Sequence, residues 1–224
     1  MITMNQKRVV SIGAHALDAE LMGGPYLIKA AASGAKCSFV HMTRGERGNK
    51  EKSPEVYGKQ LETEMAAVAA VMGADAFWIG YPAGNLPSPE QIVLDWMEYL
   101  RQEQVTTVIT HWRGSLHPRH ILCHDTVTEA VVRLRREGMA IDLYYGENCE
   151  DLNGFIPQLY IQFDDAVLET WLAGLREYEL FRGGVLTVPY YDYYTTMAKM
   201  RSIELGILPY AKAFMVSPHE VEVL

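Results

Sequence analysis

The stretch Val9-Val10-Ser11-Ile12-Gly13-Ala14-His15-Ala16-Leu17-Asp18-Ala19-Glu20-Leu21-Met22-Gly23-Gly24 decides the fold. Its first half is an unbroken, largely β-branched run that stops at a glycine, the pattern of a strand buried on both faces. A histidine follows at once, and three residues later a carboxylate opens a helical pattern. Strand, short polar turn, helix is the opening unit of a parallel α/β sheet. The turn also carries an imidazole and a carboxylate, His15 and Asp18, at a strand end where such sheets bind ligands.

Working outward, strand and helix keep alternating. The spacing predicts a strand over residues 7–13, a helix over 18–32, a strand over 37–42 and a helix over 59–72. The polar stretch 43–56 between these last two is long enough to be a functional loop. A short strand follows at 76–79. Ser88-Pro89-Glu90-Gln91 is a capping box with proline at the first helical position, and it opens the next helix. A strand at 105–110, a helix at 120–136, strands at 141–145 and 159–163, helices at 166–181 and 193–205, and a last strand at 211–216 complete the pattern. No repeat or low-complexity tract interrupts it, so residues 1–224 are expected to form one α/β domain with a mostly parallel central sheet.

Composition narrows the function classes. The 224-residue chain carries a formal net charge of −8, which disfavours nucleic acid and anionic membranes as main partners. Cys37, Cys123 and Cys149 are scattered and form no CxxC pair, so a reducing, cytoplasmic setting without disulfides is expected. The opening MITMNQ has no apolar leader, and no apolar run is long enough to span a membrane. The first turn lacks G-x-G-x-x-G, which argues against a dinucleotide oxidoreductase.

Three polar clusters fall at strand ends: His15 with Asp18, Thr43-Arg44-Gly45-Glu46, and the histidines at 111, 117, 120 and 124. Two imidazoles and a carboxylate with open positions suit catalytic zinc, and equally the facial triad of non-haem iron. His117 and His120, either side of Pro118-Arg119, are the best-placed partners for His15 and Asp18. The tyrosine-rich VPYYDYYTTM suggests packing or subunit contact, and Met65 and Met72 belong to the core.

Here the sequence resembles the LmbE-like, or PIG-L, zinc-dependent N-acetylglucosamine deacetylases. Their A-H-P-D-D-(A)-E-L signature with a glycine pair is similar to residues 14–24. Their T-x-G-E matches Thr43-Arg44-Gly45-Glu46, their H-P-D-H matches His117-Pro118-Arg119-His120, and their A-E-A-F resembles Ala211-Lys212-Ala213-Phe214. The resemblance implies a Rossmann-like three-layer sandwich and a homo-oligomer, trimer or hexamer. It implies hydrolysis of the N-acetyl group of a small amino-sugar conjugate. It also implies His15, Asp18 and His120 as zinc ligands, His117 as acid or oxyanion stabiliser, and Arg44, Glu46 and Arg119 beside the substrate.

The departures are all losses of acid. Leu17 stands where the family has its general base, Arg119 replaces the H-P-D-H aspartate so that a carboxylate supporting a ligand histidine is expected to be lost, Pro82-Ala83-Gly84 replaces P-D-G, and Lys212 replaces the glutamate of A-E-A-F. An active hydrolase then needs another base, for which Glu20 and Glu46 are the candidates. The alternatives are a catalytically weak, metal-binding relative that binds sugar conjugates or serves as a subunit, and a metal-free scaffold.

Overall fold

A computed structural model describes residues 7–207 and 209–218. Residues 1–6, read above as lacking a leader, lie outside this range. The elements in chain order are β1 (Arg8–Gly13), α1 (Asp18–Ala32), β2 (Lys36–Thr43), α2 (Pro54–Met72), β3 (Asp75–Tyr81), α3 (Pro89–Gln102) and β4 (Thr107–His111). Then come α4 (Pro118–Arg136), β5 (Asp142–Gly146), β6 (Leu159–Phe163), α5 (Asp165–Leu175), α6 (Tyr190–Leu205) and β7 (Tyr210–Val216). The sheet order is β3-β2-β1-β4-β5-β7-β6. The first five strands are mutually parallel, and β7 runs antiparallel to both β5 and β6.

Every residue of β1 is buried, as a strand covered on both faces must be. Its side chains alternate between two cores. Val9 joins Leu61, Val68, Trp171 and Leu175 beneath α1, α2 and α5, while Val10 and Ile12 join Trp96, Leu100, Val127 and Leu134 beneath α3 and α4. The glycine pair of the opening stretch allows α1 to sit close. A Cβ on Gly23 would lie 2.5 Å from Ser11 Oγ, and one on Gly24 would run into the Trp171 ring. Among the described residues no helix is long and apolar enough to cross a membrane. All three cysteines are free.

Two helix boundaries differ from the sequence reading by five residues or more. Helix α2 starts at Pro54, not residue 59, because Ser53 caps it: the Ser53 side chain accepts from Val56 N. That is the Ser-Pro start that also opens α3. Helix α5 ends at Leu175, and the following turns carry the buried Tyr178 and Phe181 into the core.

The strand order changes direction between β1 and β4, which puts the carboxyl ends of β1, β4 and β5 side by side at a topological switch point. The segment after β5 is tied down by Lys212 on β7. Lys212 is buried, and its Nζ donates to the Glu147 carbonyl at 2.7 Å, with the Tyr194 ring 5.1 Å away. The Glu147 carboxylate is held in turn by Arg201 at 2.6 Å.

Burial pushes the Lys212 ammonium down to about 8 from its ordinary 10.5. A lysine lowered in the folded state destabilises the fold while it is charged, so stability rises with pH between those two values. The wild type should therefore gain about 3 kcal/mol over Lys212→Met from pH ~8 to ~10.5, as read by urea denaturation.

Candidate metal centre and catalytic cavity

The turn between β1 and α1 brings its polar groups inward. His15 N donates to Asp18 Oδ2 at 2.9 Å, and Leu17 takes φ +85°, a left-handed conformation unusual for leucine. Thr43 N donates to the Ala14 carbonyl at 3.0 Å, which fastens this turn to the end of β2. Gly45, at φ +80°, leaves room for the ring of His15: a Cβ there would lie 3.2 Å from His15 Cβ.

Three imidazoles surround the Asp18 carboxylate. Its Oδ2 lies 3.3 Å from His15 Nδ1, 3.4 Å from His120 Nε2 and 3.5 Å from His111 Nε2. Asn148 donates to Oδ1 at 3.4 Å. Burial alone would raise the Asp18 carboxyl, but His120, His111 and His15 hold it well below the usual carboxylate range.

Two overlapping groups have the spacing to hold a metal ion: His15 with His117 and His120, and Asp18 with His111 and His120. Hydrogen bonding separates the members. His111 Nδ1 donates to Asp151 at 2.6 Å and its Nε2 accepts from Ala14 N at 3.0 Å, so both nitrogens are committed. His117 caps α4, with Nδ1 accepting from Arg119 N at 3.3 Å. His120 Nδ1 donates to Asp151 at 2.8 Å, which turns its Nε2 toward Asp18. Burial opposes a proton there, yet Asp18 and Asp151 push His120 up to about 10. A carboxylate behind a histidine that faces a metal position is the usual supporting arrangement.

Asp151 therefore corrects an expectation. Loss of the acid at Arg119 does not leave the histidine unsupported, because the segment after β5 supplies a carboxylate instead. His117 lies beside two other imidazoles, His15 and His120. Burial and the neighbouring His120 and His15 push it down to about 4, so it is a neutral imidazole at pH 7 rather than an imidazolium. With Nδ1 accepting, its Nε2 carries the hydrogen.

These groups open into a cavity of about 430 Å³. His15, Asp18, His117 and His120 line it, together with Arg44, Arg47, Arg119 and Glu150. Leu17, Leu21, Tyr57, Leu61 and Tyr190 make an apolar wall. Neither candidate base is among the lining residues. Glu20 is fully buried, with His41 Nε2 on one carboxylate oxygen at 3.0 Å and the Tyr178 hydroxyl on the other at 2.9 Å. Two residues along a helix from Asp18, it points the other way. Glu46 is a brace: its Oε1 accepts from Ala83 N at 2.7 Å, and its Oε2 faces Arg44 Nε at 4.0 Å. Arg44 is paired with Glu62 at 2.6 Å and lies over the Trp78 ring. The carboxylate that does reach the cavity, apart from Asp18, is Glu150. Its Oε2 lies 3.9 Å from His120 Nε2, and burial pushes its carboxyl up against the pull of His120.

Residues 10–131 match the family described as PIG-L, GlcNAc-PI de-N-acetylase. The chain belongs to this family. Solved structures share the whole architecture of this PIG-L family member. The 4-carboxy-2-hydroxymuconate hydratase GalB from Pseudomonas putida superposes with a TM-score of 0.78 at 19% identity, over 97% of this chain and 99% of that one. The N,N'-diacetylchitobiose deacetylase from Pyrococcus horikoshii gives 0.78 at 18%, over 95% and 84%. A conserved protein from Thermus thermophilus gives 0.75 at 22%, over 97% of each.

Neighbouring acids after β5 thus differ in kind, which is directly testable. Asp151→Ala leaves two buried imidazole N–H groups unpaired and should cost about 3–5 kcal/mol in urea denaturation. Glu150→Ala, on a half-exposed carboxylate, should stay within about 0.5 kcal/mol of wild type.

Proposed function

We propose that this protein is a zinc-dependent amide hydrolase that deacetylates a small N-acetylated amine of the amino-sugar type, with His15, Asp18 and His120 holding the metal. The observation that carries this reading is the placement of His15 Nδ1 and His120 Nε2 at 3.3 and 3.4 Å from Asp18 Oδ2 at one end of an open cavity. Membership of the PIG-L family and the shared fold of a known deacetylase support it. The donor set, two imidazoles and one carboxylate, suits zinc and admits iron. Assembly into a trimer or hexamer, which rests on the family resemblance, and a cytoplasmic location, which rests on the scattered cysteines, belong to the same proposal.

Zinc bound there would polarise the amide carbonyl and acidify a water toward neutrality. The chain's own groups do the rest. Glu150, the free carboxylate of the cavity, takes the general-base role that Leu17 cannot fill. Its Oε2 accepts the water proton and returns it to the departing amine nitrogen. His117 Nε2–H donates to the carbonyl oxygen as negative charge grows on it. Leu17 itself is part of the apolar wall, 2% exposed and packed in the core.

A second reading is addition of water across the double bond of an unsaturated acid. Two arginines in the cavity without carboxylate partners favour it, and so does the full-length match to a hydratase.

The test is turnover by zinc-loaded protein on two panels, N-acetylated amino sugars and unsaturated dicarboxylic acids. Amine release supports the deacetylase, and loss of ultraviolet absorbance with the acids supports the hydratase. Zinc bound tightly with no turnover on either panel points to a binding protein or subunit. For the active protein, Glu150→Gln should lower kcat by about 10²–10⁴ while zinc content stays unchanged. Leu17→Asp should bring no gain. A gain from Leu17→Asp with an unaffected Glu150→Gln would return the base to the turn after β1.

A further inference from the structure

One wall of the cavity is basic in a way that neither the metal ligands nor the proposed base requires. Arg47 and Arg119 both line it and both lean on the Pro82-Ala83-Gly84 turn. Arg119 Nη2 donates to the Ala83 carbonyl at 2.8 Å. Arg47 lies against Gly84, where a Cβ would come within 2.5 Å of the guanidinium carbon. Neither has a carboxylate partner among the described residues. Six other arginines, Arg8, Arg44, Arg101, Arg113, Arg133 and Arg201, each pair with an acid.

A protein with net charge −8 has carboxylates to spare for its guanidiniums. Leaving two of them unpaired on a cavity wall keeps their N–H donors for something that enters from outside. The sequence removes acid from the same wall. Ala83 and Arg119 stand where the motifs this chain resembles carry aspartate. Glycine at 84 then gives Arg47 its seat.

We propose that Arg47 and Arg119 form an anion subsite that binds a carboxylate or phosphate group carried by the substrate, so that this protein acts on a small acid rather than a neutral sugar. Guanidinium groups match such oxyanions in shape and charge. The apolar wall of Leu17, Leu21, Tyr57 and Leu61 faces the same cavity and suits the carbon body of that acid. The proposal rests on the reading of this cavity as the substrate site. It holds for hydrolysis and hydration alike.

Binding without turnover tests it separately from the reaction. Zinc-loaded protein is titrated calorimetrically at low ionic strength with inorganic phosphate, glutarate and the neutral glutaramide. At least one anion should bind ten or more times more tightly than glutaramide, and Arg47→Ala/Arg119→Ala should weaken that anion at least tenfold with zinc content unchanged. Arg47→Ala alone should show part of the loss, and since Arg47 makes no hydrogen bond among the described residues, that variant should fold as the wild type does. Stronger binding of glutarate than phosphate identifies a carboxylate substrate, and the reverse identifies a phosphate ester. Equal binding of the neutral amide, or anion affinity untouched in the double variant, overturns the proposal.

Discussion

The two carboxylate oxygens of Asp151 each accept a hydrogen bond from a buried imidazole, His111 at 2.6 Å and His120 at 2.8 Å. This one group fixes most of what the site can do. It sets the tautomer of His111, whose other nitrogen then holds the Ala14 amide and so the shape of the turn after β1. It sets the tautomer of His120, whose other nitrogen then faces Asp18. One imidazole is spent on structure and the next is presented to a ligand. Three strand ends, from β1, β4 and β5, are coupled through a single residue. Lys212 and Arg201 keep the segment that carries it in place from behind.

Much of this was legible in the sequence, for physical reasons. Buried parallel strands give unbroken apolar runs and their helices give 3.6-residue periodicity, so the α/β alternation and its mostly parallel sheet stand out. The pair His15 and Asp18 was visible because both lie in one strand-to-helix turn, and His117 and His120 because they flank one helix start. Asp151 was not visible. It sits 31 residues beyond His120 in an irregular loop, where no period marks one polar residue over another. The only local signal was a pair of acids, Glu150-Asp151, just past a strand end. Glu20 misled for the opposite reason. It is close to Asp18 in sequence, but two residues along a helix turn a side chain to another face. There it serves His41, Tyr178 and the indole of Trp171 as a buried hub.

The acids missing from the motifs fall into a pattern once the loop after β5 is considered. Asp151, rather than a residue at position 119, supports His120. Position 17 offers the cavity no carboxylate, whereas Glu150 does. Leu17 then becomes part of an apolar wall rather than a defect, and it holds a left-handed backbone conformation that costs about 1–3 kcal/mol elsewhere in proteins. The surrounding contacts maintain it: Leu17 is buried, and its carbonyl accepts from Leu21 N at 3.0 Å.

X-ray absorption at the zinc edge of metal-loaded protein addresses the central claim most directly. The account predicts one zinc per chain with two imidazole nitrogens and a carboxylate oxygen from the protein, since His111 is held by Asp151 and Ala14. A third imidazole in the shell, a sulfur ligand from Cys149 on the cavity wall, or no stoichiometric zinc would contradict it.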